Sequence, residues 1–347
     1  MTSHHIPLRQ LGKDGPTVPA MGFGLAGMSF GYGMPPSDEE RFRLLDRALE
    51  MGNTFWDTAD IYGDNEVFLA KWFQRTGKRD QIFLASKFGI VMGATGPKGA
   101  GIDSSGEYCK QQCEASLTKL NTDHIDLYYV HRVNHETPIE ETMRALAELQ
   151  AEGKIKHIGL CEVSSTTLRR ACKIAHVAAV QVQYSAFTRE IENESGTHLL
   201  RTCRELGVAV VCFSPLGRGL LTGTFSTKES VSGPGDLRSS YIPWWSEENV
   251  EANAKYANQF KVFADKKGCT ASQLALAWLL KQGDDIIPIP GTKKVKYLEQ
   301  NWASLNVELT DEEEAEIRKF LESVQLQGHR GAPQAKATEF VDTKEEA

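Results

Sequence analysis

The amino-acid sequence predicts a closed (β/α)8 barrel of the TIM class. Eight short runs rich in Val, Ile, Leu and aromatic residues recur between residues 20 and 291, each almost continuously apolar, as strands buried on both faces are. Stretches of helical periodicity separate them, the alternation that builds a parallel sheet. The 347 residues accommodate the ~250 of a minimal barrel together with extensions. An open doubly wound sheet is the alternative. Eight units in succession without a Pro/Gly-rich linker favour closure and one domain over 1–347.

Residues 6–19, "IPLRQLGKDGPTVP", carry hairpin chemistry around Asp14-Gly15 and are expected to plug the N-terminal end of the barrel. Strands are expected at 20–25, 53–58, 81–87, 124–131, 155–161, 177–183, 207–214 and 285–291. The helix between the first two opens with Ser37 as cap, has acids in its first turn and stops at Gly52. "TPIEETMRALAELQAEG" repeats the design, with Pro138 at a first-turn position and Gly153 past the end. After the seventh strand, the long Gly- and Ser-rich stretch 217–250 is expected to be a lid or binding segment. The polar tail, 325–347, is expected to be loosely ordered.

A net charge of −7 without a Lys/Arg block argues against broad contact with nucleic acid or an anionic membrane. No signal-like N-terminus or run of eighteen apolar residues occurs, so a cytoplasmic location is expected. The seven cysteines include no C-x-x-C and read as reduced core residues.

Functional groups of such a barrel gather where strands end. The second strand ends in Asp57, with Tyr62 following in "FWDTADIYG"; the third ends in Lys87 and the fourth in His131. A phenol with an ordinary pKa of about 10 donates protons poorly near neutrality, and an adjacent ammonium is expected to lower that value. A buried Lys87 needs a counter-ion, which Asp57 is placed to supply. Neutral His131 can orient a substrate oxygen. The set suits protonation of a carbonyl oxygen while a hydride reaches the carbon. Singly, each residue also fits a rim ion pair or ordinary packing; their joint placement points to chemistry. Asp60 matches none of these roles and reads as a loop brace.

The motifs "GFGLAGMSFGYG", "FWDTADIYG", "FLASKFG", "IDLYYVHR", "GKIKHIGLCEVS", "AVQVQYSAFTREIE", "CFSPLGRGLLTG" and "PIPGTKKVKYLEQN" together resemble those of aldo-keto reductases, most closely fungal and plant-type members. The resemblance implies NADPH-dependent reduction of a small aldehyde or ketone by a tetrad of Asp57, Tyr62, Lys87 and His131, with Tyr62 as general acid. It implies a nicotinamide cofactor bound without a Rossmann fold; the sequence lacks a G-x-G-x-x-G that opens a helix after the first strand, and "GFGLAG" at residues 22–27 is only superficially similar.

The resemblance assigns Gln183 to the nicotinamide carboxamide, Phe213 to the nicotinamide ring, and Ser214, Leu216, Gly217 and Arg218 to the pyrophosphate. Gly24 joins the cofactor set at the end of the first strand. Gly291, Thr292 and Lys293 fall to the adenosine phosphate, and Gln300 and Asn301 to the adenine. Lys293, with Lys294 and Lys296, offers charge for a 2′-phosphate, hence NADPH over NADH. Many relatives carry Ser followed by Asn or Glu beside the carboxamide, where this chain has Cys161-Glu162, and a thiol is the weaker donor.

Phe30, Tyr32, Phe88, Trp244 and Trp245 fall on loops expected at the mouth, suiting an apolar or aromatic substrate; packing under long loops explains them equally. His131 and His135 have i, i+4 spacing, but on a strand end and loop without a completing Cys/Asp/Glu cluster, so no metal is expected. Two rivals stand beside the reductase: a cofactor-sensing binding subunit of the same fold and a metal-dependent barrel hydrolase. Oligomeric state is left open.

Overall fold

A computed structural model describes residues 6–92 and 101–346. Strands β1 (Leu8–Gln10) and β2 (Thr17–Pro19) form an antiparallel hairpin. The eight barrel strands are β3 (Phe23–Gly24), β4 (Phe55–Asp57), β5 (Phe83–Phe88), β8 (Ile125–Val130), β9 (Ile155–Cys161), β10 (Val177–Gln183), β11 (Ala209–Phe213) and β12 (Ile286–Pro288), all parallel to their neighbours and ordered β3-β4-β5-β8-β9-β10-β11-β12. All eight expected strands are present. A second small hairpin that the sequence reading passed over, β6 (Ile90–Val91) with β7 (Gly101–Ile102), stands beyond β5.

Two backbone bonds close the ring, from Gly22 N–H to the Pro288 carbonyl at 3.0 Å and from Gly24 N–H to the Pro290 carbonyl at 3.4 Å. Prolines have no N–H to give, so β12 meets β3 through carbonyls, while Ile289 N–H pairs with Cys212 on the other side. Glycine is required at this seam. A Cβ on Gly24 would lie 2.7 Å from the Ile289 carbonyl oxygen, and one on Gly291 2.7 Å from the Gly24 carbonyl oxygen. Gly24→Ala is therefore expected to cost about 1–3 kcal/mol, read as a lower urea midpoint at unchanged m-value.

Helices α1 (Asp38–Glu50), α2 (Asn65–Thr76), α3 (Gly106–Leu120), α4 (Ile139–Ala151), α5 (Ser165–Ile174), α6 (Leu199–Leu206), α7 (Arg238–Tyr241), α8 (Glu247–Lys267), α9 (Ala271–Lys281), α10 (Val295–Trp302) and α11 (Asp311–Glu322) follow the strands or lie on their connections. Ser37 and Glu40 form a reciprocal capping box on α1, as the sequence predicts for the cap. Pro138 is the N-cap of α4 rather than its first turn.

Alternation along the strands divides the core in two. Phe55, Ala85, Leu127, Tyr129, Cys161, Ala179, Val211 and Ile287 fill the barrel, whereas Trp56, Leu84, Tyr128, Leu160, Val180 and Cys212 pack with residues of the helices. Leu11 and Val18 join the inner group. The hairpin thus plugs the bottom as expected, and Arg9 fastens it to the carbonyls of Leu280, at 2.7 Å, and Ile286.

Two expectations need correction. The stretch 217–250 is a loop only to residue 246, because α8 begins at Glu247. It contains α7, short 3-10 turns and its own apolar cluster of Leu220, Val231, Ile242, Trp244 and Trp245, closed by Val250 and Ala257 of α8. The tail is not loose: Val341 is buried and paired in parallel with Val163, Thr167 Oγ1 donates to the Val341 carbonyl at 2.9 Å, and Arg170 binds the Thr343 and Lys344 carbonyls, both at 2.7 Å. Backbone bonds and side-chain bonds to backbone do the anchoring, so polar composition conceals it.

Candidate active site

On β5, Ala85 and Lys87 point into the barrel while Ser86 and Phe88 point toward the helices. Lys87, with no solvent exposure, places Nζ 2.5 Å from Asp57 Oδ1 and 2.7 Å from the Thr58 carbonyl oxygen. The other Asp57 oxygen accepts from Gln181 Nε2 at 2.7 Å. The sequence reading passed over Gln181, although alternation on β10 puts it on the same face as Gln183.

Tyr62 follows β4 on a turn in which its N–H bonds the Ala59 carbonyl at 3.2 Å. Buried Asn65 braces that turn, accepting from Thr58 Oγ1 at 2.7 Å and donating to the Leu25 carbonyl at 3.1 Å. The Tyr62 ring meets that of His131 edge-on at 5.8 Å between centroids, with Lys87 Nζ 5.2 Å from the Tyr62 centroid. All four expected groups therefore converge at one end of the barrel.

Burial lowers Lys87, and Asp57 together with Tyr62 and Cys161 more than reverses this, so it stays an ammonium. Burial raises the Asp57 carboxyl, against the pull of Lys87 and Gln181. Both shifts are upward, as for a tight pair that titrates together, and two charge-assisted donors on the carboxylate favour the ionised form. Burial, then Lys87 and Arg132, hold His131 well below its usual range, so its ring is neutral; Nδ1 is buried without a hydrogen-bond partner among the described residues. Tyr62 departs from expectation. Burial raises the phenol above its ordinary value by more than Lys87 lowers it, so the resting residue is a protonated donor. Asp60 is pushed up to about 7 by burial and by Glu66, and its N–H bonds the Lys87 carbonyl at 3.2 Å.

The expected cofactor residues lie at or after the ends of β3, β9, β10, β11 and β12. Cys161 is buried, its thiol pushed up to about 12 by that burial. Glu162, Ser214 and Arg218 adopt left-handed backbone at φ 51°, 49° and 53°, a conformation that costs non-glycine residues energy and clusters at functional sites. Leu216 caps the turn at Gly217, φ 57°. The Arg132 guanidinium lies 6.0 Å from the Phe213 ring centroid, and Gln183 Oε1 accepts from Arg218 Nη2 at 3.4 Å. Lys293 Nζ binds the carbonyls of Tyr32 at 2.6 Å and Met34 at 3.2 Å. Thr292 Oγ1 accepts from Lys294 N–H at 3.2 Å, Gln300 binds the α9 cap Thr270 at 2.8 Å, and Asn301 is buried on α10.

The aromatic set divides. Half-buried Phe30 and Tyr32 stand on the loop after β3, which joins the stretch after β11 through a Tyr32–Asp236 bridge and Gly33 N–H to Gly235 O at 2.9 Å. The other three do not line the mouth. Phe88 stacks on Tyr128 at 5.3 Å in the outer core, and Trp244 and Trp245 are buried beneath their own loop, Trp245 edge-on to Phe225 at 6.3 Å. Strand alternation explains the first, and the loop's need for its own core the other two.

Among the described residues no three His, Cys, Asp or Glu side chains gather to hold a metal; His135 is exposed, with Nδ1 2.9 Å from the Asp342 carbonyl oxygen. No described helix is long and apolar enough to cross a membrane.

The family model "Aldo/keto reductase family" matches residues 20–322. This chain belongs to the aldo/keto reductase family. It is an oxidoreductase. This aldo-keto reductase is 45% identical over 332 residues to aldo-keto reductase str7 of Strobilurus tenacellus, covering 94% of this chain and 95% of that one. It is 44% identical over 342 residues to aldo-keto reductase yakc of Schizosaccharomyces pombe, whose name carries NADP(+), covering 97% and 98%. Among solved structures, a glycerol dehydrogenase from Gluconobacter oxydans superposes on this aldo-keto reductase with a TM-score of 0.77 at 27% identity, over 92% of this chain and 96% of that one. An aldo-keto reductase from Bacillus halodurans in its holo form gives 0.72 at 28%, over 94% and 100%.

Proposed function

We propose that this aldo-keto reductase converts an aldehyde or ketone to the alcohol with NADPH, and that Tyr62 delivers the proton. The observation that carries the reading is the convergence of a buried Lys87–Asp57 pair, a protonated Tyr62 and a neutral His131 at one barrel rim. The bound reduced nicotinamide supplies the hydride. His131 holds the substrate oxygen facing the phenol, Tyr62 gives that oxygen its proton, and Lys87 stabilises the phenolate left behind.

The donor set fits a phosphorylated dinucleotide. Arg218 and Lys293 bring cations to loops after β11 and β12, where Gly24 and Gly291 let two backbones approach closely. Lys294 and Lys296 lie exposed on either side of that approach to α10, with Tyr297 5.9 and 6.0 Å from their ammonium groups. An exposed cation cluster favours the 2′-phosphate, and the name of the Schizosaccharomyces pombe relative agrees. NADPH is expected to quench intrinsic fluorescence with a Kd at least ~10-fold below that of NADH, the effect of about 1.4 kcal/mol from one such contact. Equal or tighter NADH binding would overturn the preference.

A panel of small aldehydes and ketones with NADPH, followed by loss of reduced cofactor, tests the whole reading. Turnover on several members supports it, and negligible turnover on all of them favours a binding subunit.

A further inference from the structure

The C-terminal segment crosses the rim between two anchors. At one, Gln327 N–H donates to Asn253 Oδ1 at 2.8 Å while Asn253 Nδ2 donates to the Gln327 carbonyl at 3.0 Å; at the other, Val341 N–H donates to the Glu162 carbonyl at 3.2 Å. Between them Arg330, only 3% exposed, forks onto Glu162, Nη1 to Oε1 at 3.0 Å and Nη2 to Oε2 at 2.8 Å. Nη1 also reaches Gln183 Oε1 at 3.4 Å, and the Arg330 carbonyl accepts from Arg218 Nε at 3.0 Å. One tail residue thus touches three members of the expected cofactor set, from the ends of β9, β10 and β11.

We propose that Arg330 is a positioning residue of the cofactor site, which couples docking of the C-terminal strap to binding of the nicotinamide cofactor. The proposal rests on the reading that this rim takes NADPH.

The chemistry runs through Glu162 and Gln183. Glu162 is completely buried, and burial alone would push its carboxyl up; the Arg330 guanidinium holds it below the ordinary carboxylate range. Without that partner a buried carboxylate must take up a proton or move toward water. Its Oε1 also accepts the Gln183 N–H at 2.9 Å, so movement of Glu162 loosens the end of β10. Guanidinium groups have donors only, so Arg330 and Arg218 turn the Gln183 amide oxygen toward themselves and its NH2 away, 3.5 Å from Thr188 Oγ1. The fork therefore selects which end of the amide a ligand meets, and a lysine lacks that geometry. If the docked strap organises the site for cofactor, bound cofactor must in return hold the strap.

The test uses the full chain. Arg330→Met is expected to raise the NADPH Kd about 10-fold or more, within the usual range of coupling between linked sites, while far-UV circular dichroism stays unchanged. Arg330→Lys is expected to recover only part of the loss. In the wild type, saturating NADPH is expected to slow tryptic cleavage after Lys336 and Lys344. An Arg330→Met protein that folds and binds NADPH as the wild type does, whatever its melting temperature, overturns the proposal. Should that variant fail to fold, the digestion decides, and tail cleavage indifferent to NADPH overturns it. A wild type that binds no NADPH overturns the functional reading instead.

Discussion

Tyr62→Phe is expected to lower carbonyl turnover by about 10²–10⁴-fold, the usual contribution of a positioned general acid, and to leave NADPH affinity nearly unchanged. The physical reason is the state of the phenol. Burial keeps Tyr62 protonated, so it is a donor at rest, and Lys87 opposes that burial; in the proposed mechanism Lys87 steadies the charge that appears when the proton leaves. Phenylalanine keeps the ring that meets His131 edge-on and removes only the hydroxyl. Single-turnover kinetics at saturating cofactor, beside a fluorescence titration, separates lost chemistry from lost binding. Turnover within a few-fold of wild type would remove Tyr62 from the role.

Lys87→Met is expected to cost about 3–5 kcal/mol of folding stability, because it strands the Asp57 carboxylate in the barrel with Gln181 as its remaining side-chain donor. Turnover should fall with it, since the charge that steadies the phenolate is gone. A companion double variant, Asp57→Asn with Lys87→Met, separates the two effects. It removes both charges, so stability is expected to recover substantially while turnover stays low. Urea unfolding of both proteins beside the wild type supplies the comparison; a single variant as stable as the wild type would show that the pair contributes little to the fold.

Strands were legible because those buried on both faces must be apolar along their length, and Asp57, Lys87 and His131 stood out as titratable groups interrupting such runs. What escaped depended on partners distant in sequence. Gln181 reads as one more polar residue until Asp57, 124 positions away, is seen to accept from it. The tail's polar composition says loose, yet Arg330 finds its carboxylate 168 positions back, and no local periodicity carries that information. The direction of the Tyr62 shift depended on weighing burial against one nearby ammonium, and spacing specifies the ammonium but not the depth. Trp244 and Trp245 kept two equal readings in the sequence, because an apolar pair in a polar loop looks the same whether it faces a ligand or, as here, the loop's own interior.

The anchored C-terminus bears on how the protein is handled. Lys344 N–H bonds the His135 carbonyl at 3.0 Å, and Arg144 pairs with Glu346, so the chain is held as far as residue 346. An affinity tag, reporter or surface tether joined after residue 347 would pull directly on these bonds and, through Val341, on the segment that carries Arg330. Attachment at the other end, ahead of the hairpin at the barrel's bottom, leaves that load path untouched.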